Sequence, residues 1–260
     1  MITDIRIDGT TLIMDAVIGE RELNFGPVTK DLGGQGLRAL KVDGDKVRTT
    51  WVGLAGASVG IGACIPQDLG VVETEYPDDY RIGGAHQLEV TVTSPKMIRV
   101  VFGIDDTDTK EKGSSWSMAL KLGQTCPIGR FLEHKIIQLN PLVPNKTTNC
   151  CSCAISFAVE EKDLPALVEY VKAYLKENTY SDDTTLTIFK GLRVPERLVE
   201  FGWGAKSIIY TIDDAKRAAA ESGVEVVQIT GPKGTIGAVA AIGCFDLGIR
   251  AAGLPEDFKD

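Results

Sequence analysis

MIRVVFGIDDTDT, residues 97–109, is the stretch of sequence that predicts the fold of the second half of the chain. Its first eight residues, which end at Ile104, are apolar except for Arg99, and this is typical of a strand buried on both faces at the centre of a sheet. Asp105, Asp106 and Asp108 follow directly. Because a strand end fixes such side chains and the turn lets them converge, the segment predicts an acidic site at the end of a central strand.

The three carboxylates suit a magnesium ion that is bound together with nucleotide phosphates. Mg²⁺ is a hard, octahedral ion that usually takes one or two protein carboxylates and completes its shell with water and substrate phosphates. The residue pattern therefore predicts metal ligands at Asp105, Asp106 and Asp108. An ordinary acidic turn is the alternative, since Asp-Asp pairs also occur at 78–79 and 182–183.

The pair Asp213-Asp214 has a different interpretation. Thr211 precedes Asp214 by three residues and an Ala-rich run follows, which is the pattern of a helix N-cap. We therefore predict a structural role for this pair.

A glycine-containing loop, GPKGTIG at 231–237, follows a Val-rich segment and precedes an apolar run. A strand, a glycine loop and a helix N-terminus in that order present backbone N–H groups to an anion. The loop matches neither the Rossmann nor the P-loop signature. It predicts phosphate binding, with a tight turn for helix packing as the alternative.

The rest of the chain divides into two regions with different patterns. Residues 1–95 read as mostly strands, with a buried strand, loop or helix at 51–65, whereas residues 96–260 alternate strands and helices. We expect a mixed α+β and α/β fold, with a β-rich N-terminal region at 1–95 and a core of helices packed on sheets at 96–260. In this core the patterns predict helices at 115–122, 164–175 and 213–222 and strands at 154–159, 207–210 and 224–229.

Composition excludes several classes of protein. Of the 260 residues, 43% are hydrophobic and 25% are charged, which is typical of a folded protein with a sizeable core. The formal net charge of -8 argues against a general nucleic-acid binder, although Lys110, Lys112 and Lys121 could form a local basic groove. No apolar run reaches 18 residues and the start of the sequence lacks a signal-peptide pattern, so a cytoplasmic location without a membrane partner is expected.

Three segments in order resemble one family. The acidic stretch at 103–116, LNPLVPNKT at 139–147, and TIDD at 211–214 followed by GTIGAVAAIG at 234–243 are similar to motifs of the archaeal tRNA agmatidine synthetase family, TiaS. The form DTDTKE resembles more closely the methanogenesis marker protein eleven family, which shares this core. That resemblance implies a link to methanogenesis in archaea.

The TiaS resemblance implies a kinase-type core at 96–260 that uses ATP and Mg²⁺. Carried over by position, it implies catalytic roles for Asp105, Asp106, Asp108 and Ser115. It also implies nucleotide contacts from Lys146, Thr147, Gly234, Thr235 and Gly237. A point charge such as that of Lys146 suits phosphate, and an exposed lysine without such a role is the alternative.

Two departures from TiaS affect these expectations. The synthetase continues its acidic turn into Gly-Met-Cys-Thr-Thr, whereas this chain has Gly113-Ser114-Ser115-Trp116, so the phosphate-accepting role of Ser115 competes with a capping role. The oligonucleotide-binding fold and zinc ribbon of the synthetase have no counterpart in the sequence. Together with the acidic composition, this predicts that tRNA is an unlikely partner.

Cys150, Cys151 and Cys153 form a cluster beside the predicted site. Three thiols this close could bind a metal or an iron–sulfur centre, but a fourth ligand is not evident, and buried cysteines often act as small apolar residues. Reduced thiols are expected, because six cysteines are too few for a disulfide scaffold of this length.

Three functions are consistent with the sequence. The leading hypothesis is ATP- and Mg²⁺-dependent phosphoryl or nucleotidyl transfer to an unidentified acceptor. The second is a non-catalytic nucleotide-binding factor that assembles or activates a methanogenic enzyme, with a protein partner. The third is a metal or sulfur carrier that uses the three clustered cysteines.

Overall fold

The computed structural model describes residues 1–8, 11–26, 33–84, 86–144, 146–147 and 149–258. The chain divides into two compact units: a smaller one over residues 1–7 and 12–96, and a larger one built on residues 97–258. Both mix strands with helical segments, so the predicted mixed α and β fold class is confirmed.

The smaller unit is rich in strands. Strands β1 (Ile2–Asp8) and β2 (Thr11–Ala16) pair in a two-stranded sheet. A separate five-stranded antiparallel sheet has the order β3-β4-β5-β7-β6. The strands of that sheet are β3 (Gly19–Glu20), β4 (Gly34–Asp43), β5 (Lys46–Leu54), β6 (Glu73–Glu75) and β7 (Gln87–Pro95). Helix α1 (Ala57–Val59) leads into helical turns that end at Gln67. Alternate residues of β7, Leu88, Val90 and Val92, pack with Ile61 of these turns in a small core.

The larger unit contains a five-stranded antiparallel sheet with the order β12-β11-β8-β10-β9. Its strands are β8 (Ile98–Asp105), β9 (Arg130–Gln138), β10 (Cys151–Val159), β11 (Thr185–Lys190) and β12 (Glu225–Gln228). Its helices are α2 (Ser115–Thr125), α3 (Leu164–Asn178), α4 (Glu196–Gly204), α5 (Ile212–Glu221) and α6 (Thr235–Gly243), followed by 3₁₀ turns at Phe245–Ala252.

Helices cover both faces of the sheet, and the central strand is buried between them. Val101 of β8 packs with residues of α4, α5 and α6, whereas Phe102 and Ile104 pack with residues of α2 and α3. Gly103 permits close contact with α6, because a Cβ atom there would overlap the carbonyl oxygen of Ala238. The prediction of a central strand buried on both faces is therefore confirmed.

Most predicted elements are present with shifted ends. The exception is the strand predicted at 207–210, which is wrong: α4 ends at Gly204, and the chain turns because the backbone N–H groups of Ser207 and Ile208 both donate to the carbonyl of Gly204. The predicted cap at Thr211 is confirmed as a capping box, in which the Thr211 and Asp214 side chains bond reciprocally to backbone N–H groups.

Within the described residues, no single helix has the length and apolar character needed to cross a membrane. Only the bent pair Thr235–Gly243 and Phe245–Ala252 passes such a test by length and composition, and the two helices meet at 109°.

Candidate functional site

The acidic turn follows the C-terminal end of the central strand. Asp106 adopts a left-handed backbone conformation with φ of 53°, which typically costs a non-glycine residue about 1–2 kcal/mol. The segment before β11 holds the turn in place: the Thr184 hydroxyl donates to the carbonyl of Asp106 at 2.8 Å, and the Tyr180 N–H donates to the carbonyl of Thr107 at 2.9 Å. Tertiary hydrogen bonds thus stabilise an unfavourable conformation at the candidate site, as is common at functional sites.

Ser115 contributes to the same turn. Its hydroxyl oxygen accepts hydrogen bonds from the Thr107 N–H at 3.2 Å and from the Thr107 hydroxyl at 2.9 Å, and both residues are buried. The first residue of α2 therefore ties the helix to the acidic turn. The phosphate-accepting role implied for Ser115 stays a prediction.

Burial and mutual repulsion raise the pKa values of two of the carboxyls. The pKa of Asp105 lies well above its usual value because the group is buried, and the charges of Asp106 and Asp108 add to the effect. Burial also raises the pKa of Asp106, to about 6; Lys233 opposes this shift, whereas Asp183 and Asp108 contribute to it. Added positive charge would therefore stabilise the acidic corner, the name used below for Asp105 and Asp106 at the end of β8.

The glycine loop packs directly against this corner. A Cβ atom on Gly237 would overlap Oδ2 of Asp105, and one on Gly234 would lie 2.8 Å from the carbonyl oxygen of Asp105. The N–H of Gly234 donates to the carbonyl of Asp183 at 3.1 Å, and the buried Thr235 donates its hydroxyl to the carbonyl of Pro232. The predicted residues Gly234 and Gly237 thus lie beside the acidic turn, and Thr235 stabilises the loop.

A cavity of about 310 Å³ opens at this corner. Such a volume lies near the lower end of the roughly 300–1,000 Å³ typical of small-molecule sites. Its polar lining includes the predicted residues Asp105, Asp106, Lys146, Thr147 and Gly237, together with Lys233. Its apolar lining includes Val143, Ile208, Ile209, Tyr210 and Ile236. The arrangement offers a charged end and an apolar end to one ligand.

Asp108 and Ser115 line a neighbouring cavity of about 250 Å³, which shares Thr147 and Cys151 with the first. The Thr147 hydroxyl lies 3.5 Å from a carboxylate oxygen of Asp108 and donates to it. Asp108 thus lines a different cavity from Asp105 and Asp106.

The loop that carries Lys146 is fastened by Asn140. The Asn140 carboxamide accepts from the Leu142 N–H at 2.9 Å and donates to the carbonyl of Ser207 at 3.1 Å. The Lys146 ammonium group donates to the carbonyl of Pro141. The Lys146 side chain thus lies in the lining of the adjoining cavity, where it can bind an anion.

The cysteine cluster does not form a metal centre of its own. In the described part of the chain, no three His, Cys, Asp or Glu side chains are grouped so that they could hold a metal ion. Burial raises the pKa of Cys150 to about 12 and that of Cys153 well above its usual range, with the charge of Asp105 contributing. Because the thiolate is the nucleophile and the metal ligand, the raised pKa values mean that these thiols are protonated when no metal is bound.

The residues of the corner fit Mg²⁺ in the form in which proteins usually bind it. The ion needs one or two carboxylates rather than a complete protein cage. Asp105 and Asp106 line the same cavity, and their raised pKa values show that positive charge would stabilise them. Magnesium binding stays a prediction.

Two residues of the site were missed by the sequence interpretation. Asp183 influences Asp106 electrostatically, and Lys233 lines the cavity. In the sequence, the 182–183 pair is one acidic pair among several, and Lys233 is one residue of a loop. The available signal is their position: Asp183 lies two residues before the start of β11, and Lys233 lies in the glycine loop that follows β12.

Comparison with known proteins places this core among the TiaS-like proteins. A model of the TiaS TCKD domain family matches residues 101–163, which contain the acidic turn and β10. The tRNA(Ile2) 2-agmatinylcytidine synthetase TiaS of Thermococcus sibiricus is 33% identical over 153 residues, 56% of this chain and 35% of that protein. The chain thus spans about a third of the length of that TiaS relative.

A crystal structure of a TiaS–tRNA(Ile2)–ATP complex matches 56% of this chain and 36% of its own, with 28% identity and a TM-score of 0.49. The name of the Thermococcus relative specifies tRNA(Ile2). The expectation that tRNA is an unlikely partner was therefore wrong. It relied on overall charge and on the two TiaS domains without a counterpart in the sequence, whereas a relative that shares the core is named for tRNA(Ile2).

One relative matches nearly the whole chain. The uncharacterized protein MJ0921 of Methanocaldococcus jannaschii is 35% identical over 249 residues, 93% of this chain and 80% of that protein. The chain therefore belongs to the family of MJ0921 and contains a TiaS-like core.

Proposed function

We propose that this chain binds ATP with Mg²⁺ in the 310 Å³ cavity and transfers a phosphoryl or nucleotidyl group to an acceptor. The observation that carries the proposal is the meeting of a buried acidic turn, a glycine loop and an apolar pocket in one cavity. The kinship of the core with TiaS, a protein crystallised with ATP, supports the identity of the nucleotide.

The two ends of the cavity suit the two ends of a nucleotide. The apolar lining, which includes Ile209 and Tyr210, offers an apolar surface to a nucleobase, whereas the corner around Asp106 suits the phosphates. Bound Mg²⁺ would supply positive charge that both the carboxylates and the phosphates need. Without a cation the carboxylates of Asp105 and Asp106 would repel a polyphosphate.

The remaining residues position and neutralise the phosphates. Lys146 lines the cavity with a point charge, and the backbone around Gly237 borders Asp105 at the start of α6. In the reaction, an acceptor oxygen would attack phosphorus and the bond to the departing part of ATP would break. Fixed charges around the phosphates stabilise the charge that develops in such a transition state.

Nucleotide binding by purified protein tests the proposal. ATP titrations with and without Mg²⁺ should show tighter binding with the ion for the wild type, and Asp106→Asn should reduce that Mg²⁺-dependent gain at least about tenfold. Asp79→Asn is the control, because Asp79 belongs to an exposed acidic pair in the smaller unit. Absence of Mg²⁺-dependent nucleotide binding by the wild type would end the proposal.

A nucleotide-binding factor without turnover is the second candidate. It is favoured by the Ser115 hydroxyl oxygen, which already accepts two hydrogen bonds from Thr107. ATP binding without release of ADP, AMP, phosphate or pyrophosphate would identify this function. Turnover assays should include tRNA, since tRNA is the substrate named for TiaS. A cytoplasmic location and a link to methanogenesis remain predictions from the sequence.

A further inference from the structure

Lys233 belongs to the glycine loop and lines the same cavity as Asp105 and Asp106 of the acidic corner. Its ammonium group is 3.7 Å from Oδ2 of Asp183, and both side chains are partly exposed, by 48% and 37%. A flexible cation thus lies at the proposed phosphate end of the site.

The ion pair with Asp183 is weak enough to be exchanged. Partly exposed pairs typically contribute only about 0–1 kcal/mol, because water screens the charges. The lysine stem has four carbons, so the ammonium group can move between neighbouring anions without movement of the backbone. Phosphate oxygens in the cavity would compete directly with the Asp183 carboxylate.

The loop itself does not depend on the lysine side chain. It is held by the Gly234 N–H on the carbonyl of Asp183 and by the Thr235 hydroxyl on the carbonyl of Pro232. Gly231 packs against the backbone of Asp182 and Asp183 in the same way, since a Cβ atom there would overlap the carbonyl oxygen of Asp182. The side chain of Lys233 is therefore available for a ligand.

We propose that Lys233 determines the preference of the site for polyphosphates by exchanging Asp183 for the phosphate chain of a bound nucleotide. Asp183 holds the cation close to the corner before the nucleotide arrives and competes with it afterwards. The inference rests on the proposed nucleotide site and deepens it. It predicts that removal of the Lys233 charge weakens ATP binding, whereas removal of the Asp183 charge strengthens it.

Displacement of a fluorescent ATP analogue in Mg²⁺ buffer tests this, with ATP, ADP, AMP, adenosine and inorganic tripolyphosphate as competitors. Lys233→Met should weaken ATP and tripolyphosphate about tenfold and change adenosine less than about twofold. Lys233→Arg should retain most of the ATP affinity. Asp183→Asn should tighten ATP several-fold, because the competing carboxylate is gone. Lys216→Met, an exposed lysine on α5, is the control and should change nothing.

Three results would overturn the inference: no effect of Lys233→Met, an equal loss for ATP and adenosine, or weaker ATP binding by Asp183→Asn. Thermal unfolding of each variant checks that the fold is retained, and Lys233→Arg provides the same information if the methionine variant is unstable. Direct calorimetry with tripolyphosphate separates the two proposals. If the wild type binds tripolyphosphate through Lys233 but no nucleotide, the proposed function fails, and the exchange at Lys233 holds for an inorganic polyphosphate alone.

Discussion

The carboxylate of Asp105 occupies the space that a side chain at residue 237 would need, and Gly237 leaves that space free. The last residue of the central strand and the first turn of α6 are therefore packed in direct contact. This contact brings the backbone of the glycine loop to the acidic turn, and it is the structural basis of the candidate site.

Gly237→Ala should destabilise the protein and disrupt nucleotide binding. The added methyl group overlaps a buried carboxylate, and overpacking typically costs about 1–3 kcal/mol. The free energy of unfolding in urea, followed by circular dichroism, measures the effect. Gly56→Ala is the matched control, because a Cβ atom on Gly56 meets nothing within 4 Å and its φ is -58°. Equal stability of the two variants would contradict the observed packing.

Ser115→Ala should lower the free energy of unfolding by about 1–3 kcal/mol, because it removes the acceptor of two bonds from the buried Thr107. Ser114→Ala should change it by less than about 0.5 kcal/mol, since the Ser114 side chain makes no capping hydrogen bond. Phosphopeptide mass spectrometry after incubation with ATP tests the phosphate-accepting role separately. Loss of turnover in Ser115→Ala without loss of stability would favour that role over the structural one.

Asp106 should make the protein less stable as the pH rises. Its folded-state pKa of about 6 lies above the value of about 3.9 for an unfolded chain, so folding favours the protonated form. The resulting stabilisation is fully present below about pH 4 and is lost as the pH passes through about 6, with an upper limit of about 3 kcal/mol. Unfolding of wild type and Asp106→Asn from pH 4 to 7.5 measures it. The variant should gain stability relative to the wild type as the pH rises, and parallel curves would contradict the assignment.

Lys206→Met should be strongly destabilising. The ammonium group is fully buried and donates to the carbonyls of Gln138, Ala251 and Gly253 at 2.7–2.8 Å. The methionine leaves three carbonyl groups without this donor, and hydrogen bonds of charged groups contribute about 1.5–3 kcal/mol each before the cost of burying the charge. We expect a net loss of roughly 3 kcal/mol in denaturant unfolding. The exposed Lys216→Met serves as the reference, and a similar small change in both would contradict the interpretation.

Local patterns were sufficient for several elements. An apolar run followed by carboxylates predicted β8 and its acidic turn, because burial on both faces requires continuous hydrophobicity. The spacing of Thr211 and Asp214 predicted the N-cap of α5, because a capping box depends on residues three apart. The strand predicted at 207–210 was wrong because short apolar runs are compatible with strands and with turns. Only the hydrogen bonds formed after α4 selected a turn there.

Contiguous residues were enough to predict that a buried strand ends in an acidic turn and that a glycine loop precedes a helix. The neighbours of both segments depend on the tertiary fold. The antiparallel register of β11 and β8 pairs Thr185 with Asp105, so Asp183 comes to lie beside residues almost 80 positions earlier, where it meets Lys233. Register depends on packing between distant segments, and no local spacing contains that information.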